Sequence, residues 1–179
     1  MLGSRTHVGR VSLKAPHREA LSTIVPTIED ALRTTSWPMQ AGATDAVLLI
    51  RRIDLGVLGR RPTRQAISAL IASQLSELPL VWSSTGNNGF DAPVMAWPSK
   101  AASLVHAIVT IDRLQQSGGP VPWWIPRILD AEILQPSQAA RHIVRAIERL
   151  IGESGQGVLI AVLDQLCTAS ATRQAAEIA

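Results

Sequence analysis

The stretch GGPVPWWIPRI, Gly118 to Ile128, sets two adjacent tryptophans among three prolines and two glycines. Proline locks its own φ, removes a backbone donor and steers the residue before it away from helix. The segment therefore reads as extended surface chain, neither an uninterrupted helix nor a central strand. Successive side chains of an extended chain point to opposite sides. One of Trp123 and Trp124 is thus expected to dock on the core, and the other to face outward with Ile125 and Ile128. A plug sealing the ends of neighbouring helices is the first reading. An anchor for a partner is the second, because tryptophan is prominent among interface hot spots.

On either side the apolar residues recur mostly at helical spacing. From His17 to Thr35 the positions are Leu21, Ile24, Val25, Ile28 and Leu32, with Pro26 either kinking that helix or opening a second one. Thr63 caps a helix to about Leu78 with Ile67, Leu70, Ile71, Leu75 and Leu78 on one face. Ser99 caps another, lined by Leu104, Val105, Ile108, Ile111 and Leu114 and stopped by Gly118-Gly119. Pro136-Ser137 opens the clearest helix, whose apolar face is Ala140, Ile143, Val144, Ile147, Leu150 and Ile151 and whose stop is Gly152. A last helix, Gly157 to about Ala169, is apolar nearly all round in its first half and is expected to be central, with a tail that frays or extends it.

Strand signals are fewer. Ala46 to Leu55, AVLLIRRIDL, is the best of them, and PLVW and APVMAW are short candidates either side of SSTGNNGFD, where Asn88-Gly89 supports a turn. This order of elements predicts a helix-rich α+β fold: a small mixed sheet of roughly two to four short strands packed against five or six helices. Residues 1–15 are expected to be an N-terminal arm and residues 16–179 a single domain.

Charged residues make up 17% of the chain, below the usual quarter, and 46% of it is hydrophobic. So few charges leave more apolar area on the surface, which favours an assembly subunit with possible self-association. The net charge of +3 is carried almost wholly by arginine, 15 residues against Lys14 and Lys100. Arginine forks onto carboxylates or phosphates and suits polar interfaces, though GC-rich coding gives the same skew. A charge of +3 does not demand nucleic acid. MLGSRTHVGRVS lacks the apolar core of a signal peptide, and the longest apolar run, Val158 to Leu163, is far too short to span a bilayer. A soluble, cytoplasmic protein without membrane insertion is expected.

Chemistry-bearing patterns are sparse. His7, His17, His106 and His142 stand at no metal-ligand spacing, and His106 reads as a hydrogen-bonded core histidine. The single Cys167 excludes an intramolecular disulfide and a multi-cysteine zinc site, and is expected to be buried. GESGQG, Gly152 to Gly157, follows a helix and lacks the Lys-Ser/Thr of a phosphate loop, so it reads as a turn. No serine sits in a GxSxG elbow, and Asp54, Asp91, Asp112, Asp130 and Asp164 meet no histidine at a telling spacing. A triad assembles in space, however, so spacing alone does not decide the matter. The expectation is a non-enzymatic protein with no catalytic residue, cofactor or metal.

Two arginine groups remain. Arg51, Arg52, Arg60, Arg61 and Arg64 flank the main strand and enter the next helix. Arg141, Arg145 and Arg149 recur every four residues and form one stripe, with Gln138 beneath and His142 beside it. Such a stripe is first a solvated face, next a protein interface through bidentate pairs, and last a phosphate track. The candidate protein-interface residues are therefore Trp123, Trp124, Ile125, Arg141, Arg145 and Arg149. The alternative is a small nucleic-acid-binding or regulatory protein using the arginine stripe, less favoured because no helix-turn-helix, RNA-recognition or zinc motif accompanies it.

RRIDLG (Arg51 to Gly56), MAWPSKAASL (Met95 to Leu104) and PWWIPRIL (Pro122 to Leu129) together resemble proteins of GC-rich bacteria associated with gene clusters for phage-tail-like contractile injection systems. The resemblance covers roughly residues 46–165. It implies an accessory or structural component of a large assembly whose partners are other protein subunits, and it assigns no catalytic residue.

Overall fold

The computed structural model describes residues 18–35, 45–59, 62–77, 81–82 and 90–178. The expected arm, Leu78 and the Asn88-Gly89 turn lie outside them. Among the described residues there are six α-helices and a three-stranded mixed sheet, so the helix-rich α+β class is the one observed. The single domain expected over 16–179 presents as two compact units, residues 1–39 with 52–79 and residues 40–51 with 80–179.

The first unit holds α1 (Arg18–Thr34) and α2 (Arg64–Glu77), packed on each other. Pro26 does not split α1, which runs unbroken and keeps the proline on its exposed side. Ile28 and Ala31 are its buried residues. Thr35 closes it by donating its hydroxyl and its backbone N–H to the Ala31 carbonyl at 2.7 and 2.9 Å. In α2 the Thr63 hydroxyl accepts from the Ala66 N–H at 3.2 Å, the cap anticipated from sequence. Ile67, Ile71 and Leu75 recur every four residues and are buried, but Leu70 is exposed. The buried stripe is narrower than the apolar pattern suggests, because one neighbouring helix covers only one side.

In the second unit β3 (Val94–Trp97) is the middle strand, antiparallel to β1 (Val47–Ile50) and parallel to β2 (Val81–Trp82). All four β3 residues are buried. A strand covered on both faces must be apolar without alternation, and VMAW is. The expected strand 46–55 stops at Ile50, with one further bond from the Arg51 N–H to the Pro93 carbonyl at 2.9 Å. Beyond it Asp54 draws the chain into a turn.

Helix α3 (Lys100–Ser117) is the centre of this unit, packing on β3, α4, α5 and α6. Its start and stop were legible: the Ser99 hydroxyl accepts from the Ala102 N–H at 3.1 Å, and Gly118, at φ 70°, donates to the Leu114 carbonyl at 2.8 Å. Helix α6 (Gly157–Ile178) was expected to be central and is not. Over residues 157–170 Val162 is its buried residue, with Val158 and Leu166 packed against the core, whereas Ile160 is 71% and Leu163 53% exposed. Cys167, also expected inside, is exposed.

Helix α5 (Ala139–Ser154) follows a 3-10 turn at Pro136–Gln138. It passes through Gly152 instead of stopping there and ends at Gly155, whose N–H donates to the Ile151 carbonyl at 2.8 Å. Its inward face is also rotated from the expected one. Ala139, Ala146 and Leu150 are buried and Ile143, Ile147 and Ile151 half-buried, while Ala140 is exposed and Val144 is 53% exposed. Small alanines face the core because α3 and α6 approach that side.

Candidate protein-interaction surface

The tryptophan segment departs most from its sequence reading. It is not extended: Trp124–Leu129 forms helix α4, and Trp123 precedes it with helical φ and ψ. Pro126 is tolerated because it is the third helical residue. The first four N–H groups of a helix have no intrahelical acceptor, so a proline there loses no hydrogen bond. The helix ends on Asp130 at φ 54°, with the Ala131 N–H reaching the Pro126 carbonyl at 2.8 Å.

Burial of Trp124 and Ile125 drives this arrangement. Both are fully buried, so neither offers surface to a partner, and their assignment as interface residues is corrected. Trp124 stacks on the His106 ring at 4.6 Å between centroids and lies 5.3 Å from Trp97. The Trp97 Nε1–H donates to His106 Nδ1 at 3.1 Å. Because indole nitrogen only donates, His106 Nδ1 must carry a lone pair, which places the proton of the neutral ring on Nε2. The core-histidine reading of His106 is therefore realised in a specific tautomer. Beside it the Thr110 hydroxyl, also buried, has no hydrogen-bond partner among the described residues.

Trp123 is the half-buried member of the pair. Its Nε1–H donates to the Ala92 carbonyl at 3.1 Å and ties the start of α4 to the chain entering β3. One tryptophan is in the core and its neighbour partly outside, as an inward–outward split requires, although a helical start produces it.

The arginine stripe is present. Arg141, Arg145 and Arg149 are all exposed on α5. They are not equivalent. Arg149 donates to the Asp130 carboxylate at 2.9 Å and to the Ile128 carbonyl at 3.1 Å, pinning the end of α4 to α5. Arg141 and Arg145 make no ion pair among the described residues. Val144, beside this stripe, is exposed as well.

Sequence reasoning missed the exposed apolar residues. Ile133, in the chain between α4 and α5, is 78% exposed, and Val144, Ile160 and Leu163 are further examples. A signal existed for α6: Asp164 and Thr168 stand one and two turns beyond Ile160 and mark that side as wet. Among the described residues no group of three or more His, Cys, Asp or Glu could hold a metal, and no helix is long and apolar enough to cross a membrane. His7 and His17 lie outside the described residues. No family model, no curated protein and no solved structure matches this chain.

Proposed function

We propose that this chain is a non-enzymatic interaction protein that docks other protein subunits on the exposed face of α5. Arg141 and Arg145, unpaired among the described residues, share the exposed side of α5 with half-exposed Val144, and that arrangement carries the reading. Two guanidinium groups one turn apart present planar forks to carboxylates, and an apolar residue beside them supplies area to bury. Arg149 is committed within the chain and contributes position instead of affinity. The sequence resemblance to proteins of contractile injection gene clusters favours docking within a bacterial or phage-tail-like assembly, with the chain as an accessory subunit. Self-association through the exposed apolar residues is compatible with the same role.

The test is capture of partners from a bacterium that carries the chain, with wild type and with an Arg141→Glu, Arg145→Glu double variant. A protein held by the first and lost by the second, at unchanged helical content, supports the proposal. Retention of the wild type on immobilised DNA, steeply weakened by salt and lost in the double variant, transfers the stripe to nucleic acid instead.

A further inference from the structure

Three segments far apart in the chain meet at one imidazole. Trp97 ends β3, His106 lies in the middle of α3 and Trp124 opens α4. Their exposures are 1%, 2% and 0%, so bulk water does not reach the ring. The Trp97 Nε1–H donates to His106 Nδ1 at 3.1 Å, and the Trp124 ring stacks on the imidazole at 4.6 Å, 29° from parallel. Indole nitrogen has no lone pair to offer, so this hydrogen bond exists only while Nδ1 is unprotonated. A proton on Nδ1 sets two N–H donors against each other.

That proton also places a positive charge inside the core. Among the described residues no Asp, Glu, Lys or Arg is buried. On α3 itself Lys100 and Arg113 are half-buried and Asp112 is exposed. Strand β3 brings no ionisable side chain, and at α4 Arg127 and Asp130 are both exposed. Helix α5 brings half-buried His142, with Arg141, Arg145, Glu148, Arg149 and Glu153 all exposed. Over residues 157–170 α6 brings exposed Asp164. The carboxylates around the unit are thus at its surface, where water and salt screen them from the core ring. The stacked Trp124 face attracts a cation, but one such contact returns far less than taking an imidazolium out of water costs.

We infer that His106 makes the junction of β3, α3 and α4 an acid-released latch, closed by the neutral imidazole and opened by a proton on Nδ1. In the unfolded chain histidine has its ordinary pKa of about 6.5 and takes the proton freely, whereas in the folded unit the proton must first break the Trp97 bond. The unfolded state therefore binds more protons, so the stability supplied by the latch is full above that value and is lost as the pH falls below it. Opening detaches α4 and with it both acceptors of Arg149, the Asp130 carboxylate and the Ile128 carbonyl. The proton thus reaches the arginine-bearing face of α5 through α4. The latch itself holds or fails independently of the docking proposed for α5.

The experiment follows urea unfolding of the full chain by tryptophan fluorescence across a pH series, for wild type, His106→Asn and His142→Gln. Asparagine offers an acceptor oxygen in the region of Nδ1 and takes no proton there. The wild-type midpoint should fall by at least about 0.5 M between about pH 7.5 and about pH 5. His142→Gln should keep that fall, and His106→Asn should lose at least about half of it. A second measurement needs no substitution: ring-nitrogen NMR of the histidine-labelled wild type, in which Nδ1 of His106 should stay unprotonated for as long as the folded spectrum lasts. A midpoint that is flat with pH, or whose fall survives His106→Asn or disappears in His142→Gln, overturns the inference. So does an imidazolium at position 106 in a chain that still shows its folded spectrum. If His106→Asn does not fold, the nitrogen signals alone decide.

Discussion

Helix α4 and the first half of α6 belong to the same unit and treat their apolar residues in opposite ways. Helix α4 has six residues and a proline inside it, yet Trp124, Ile125 and Leu129 are buried. Helix α6 has 22 residues and opens on GVLIAVL, yet Ile160 and Leu163 stand largely in water. The difference is in how many sides of each helix are covered. The short helix packs against both α3 and α5 and closes the aromatic cluster around His106. The long helix also meets α3 and α5, but turns only the line Val158, Val162, Leu166 toward the core. Apolar content states how much can be buried; the number of covered sides decides how much is.

That contrast can be broken most directly at Trp124. Trp124→Ala should lower the stability of the unit by about 3–5 kcal/mol, read as a fall in the urea midpoint, because it empties fully buried space against His106 and Trp97. A loss under about 1 kcal/mol would place the ring outside the core. Trp97→Phe keeps much of the aromatic surface but removes the Nε1–H that donates to His106 Nδ1. Losing that buried hydrogen bond should lower stability by about 1–3 kcal/mol, by the same measurement. Trp123→Ala loses a half-buried ring and one hydrogen bond to the Ala92 carbonyl, and should fall to about 1–2 kcal/mol. At the other end, Ile160→Gln and Leu163→Gln should change stability by no more than about 0.5 kcal/mol. They should reduce concentration-dependent self-association in sedimentation, if α6 takes part in it. Unfolding on either substitution would show that α6 is covered on both faces after all.

Local signals were read well where one residue performs the whole task. Thr63 and Ser99 each accept from the third helical N–H, and Gly118 takes the left-handed conformation, each with nothing beyond its own turn. The arginine stripe on α5 was equally legible, since recurrence every four residues fixes a common side. The phase of the apolar face beside it was not. Periodicity over Ala140, Ile143, Val144, Ile147, Leu150 and Ile151 cannot say which edge of the pattern meets a neighbour, and alanine at 139 and 146 carries no strong signal. Gly152 misled for a related reason, because a glycine weakens a helix without ending it when the next turn is supported.

The interface candidates divide along the same line. Trp123, Arg141, Arg145 and Arg149 remain at least partly accessible, while Trp124 and Ile125 have gone to the core. Proline rules applied to GGPVPWWIPRI predict extended chain because they describe average backbone preference. Here the preference is outweighed by burial of two large side chains, and the position of Pro126 in a first turn removes the main objection to a helix.

From the sequence alone came the fold class, most of the helices, the caps at Thr63, Ser99 and Gly118, and the side of α5 that bears charge. Each follows from short-range sterics, hydrogen bonding and periodicity, which act within a few residues. Tertiary structure decided that α3 and not α6 is central, that β2 runs parallel to β3, and which tryptophan is inside. Burial is a relation between segments far apart in the chain, so no local pattern contains it.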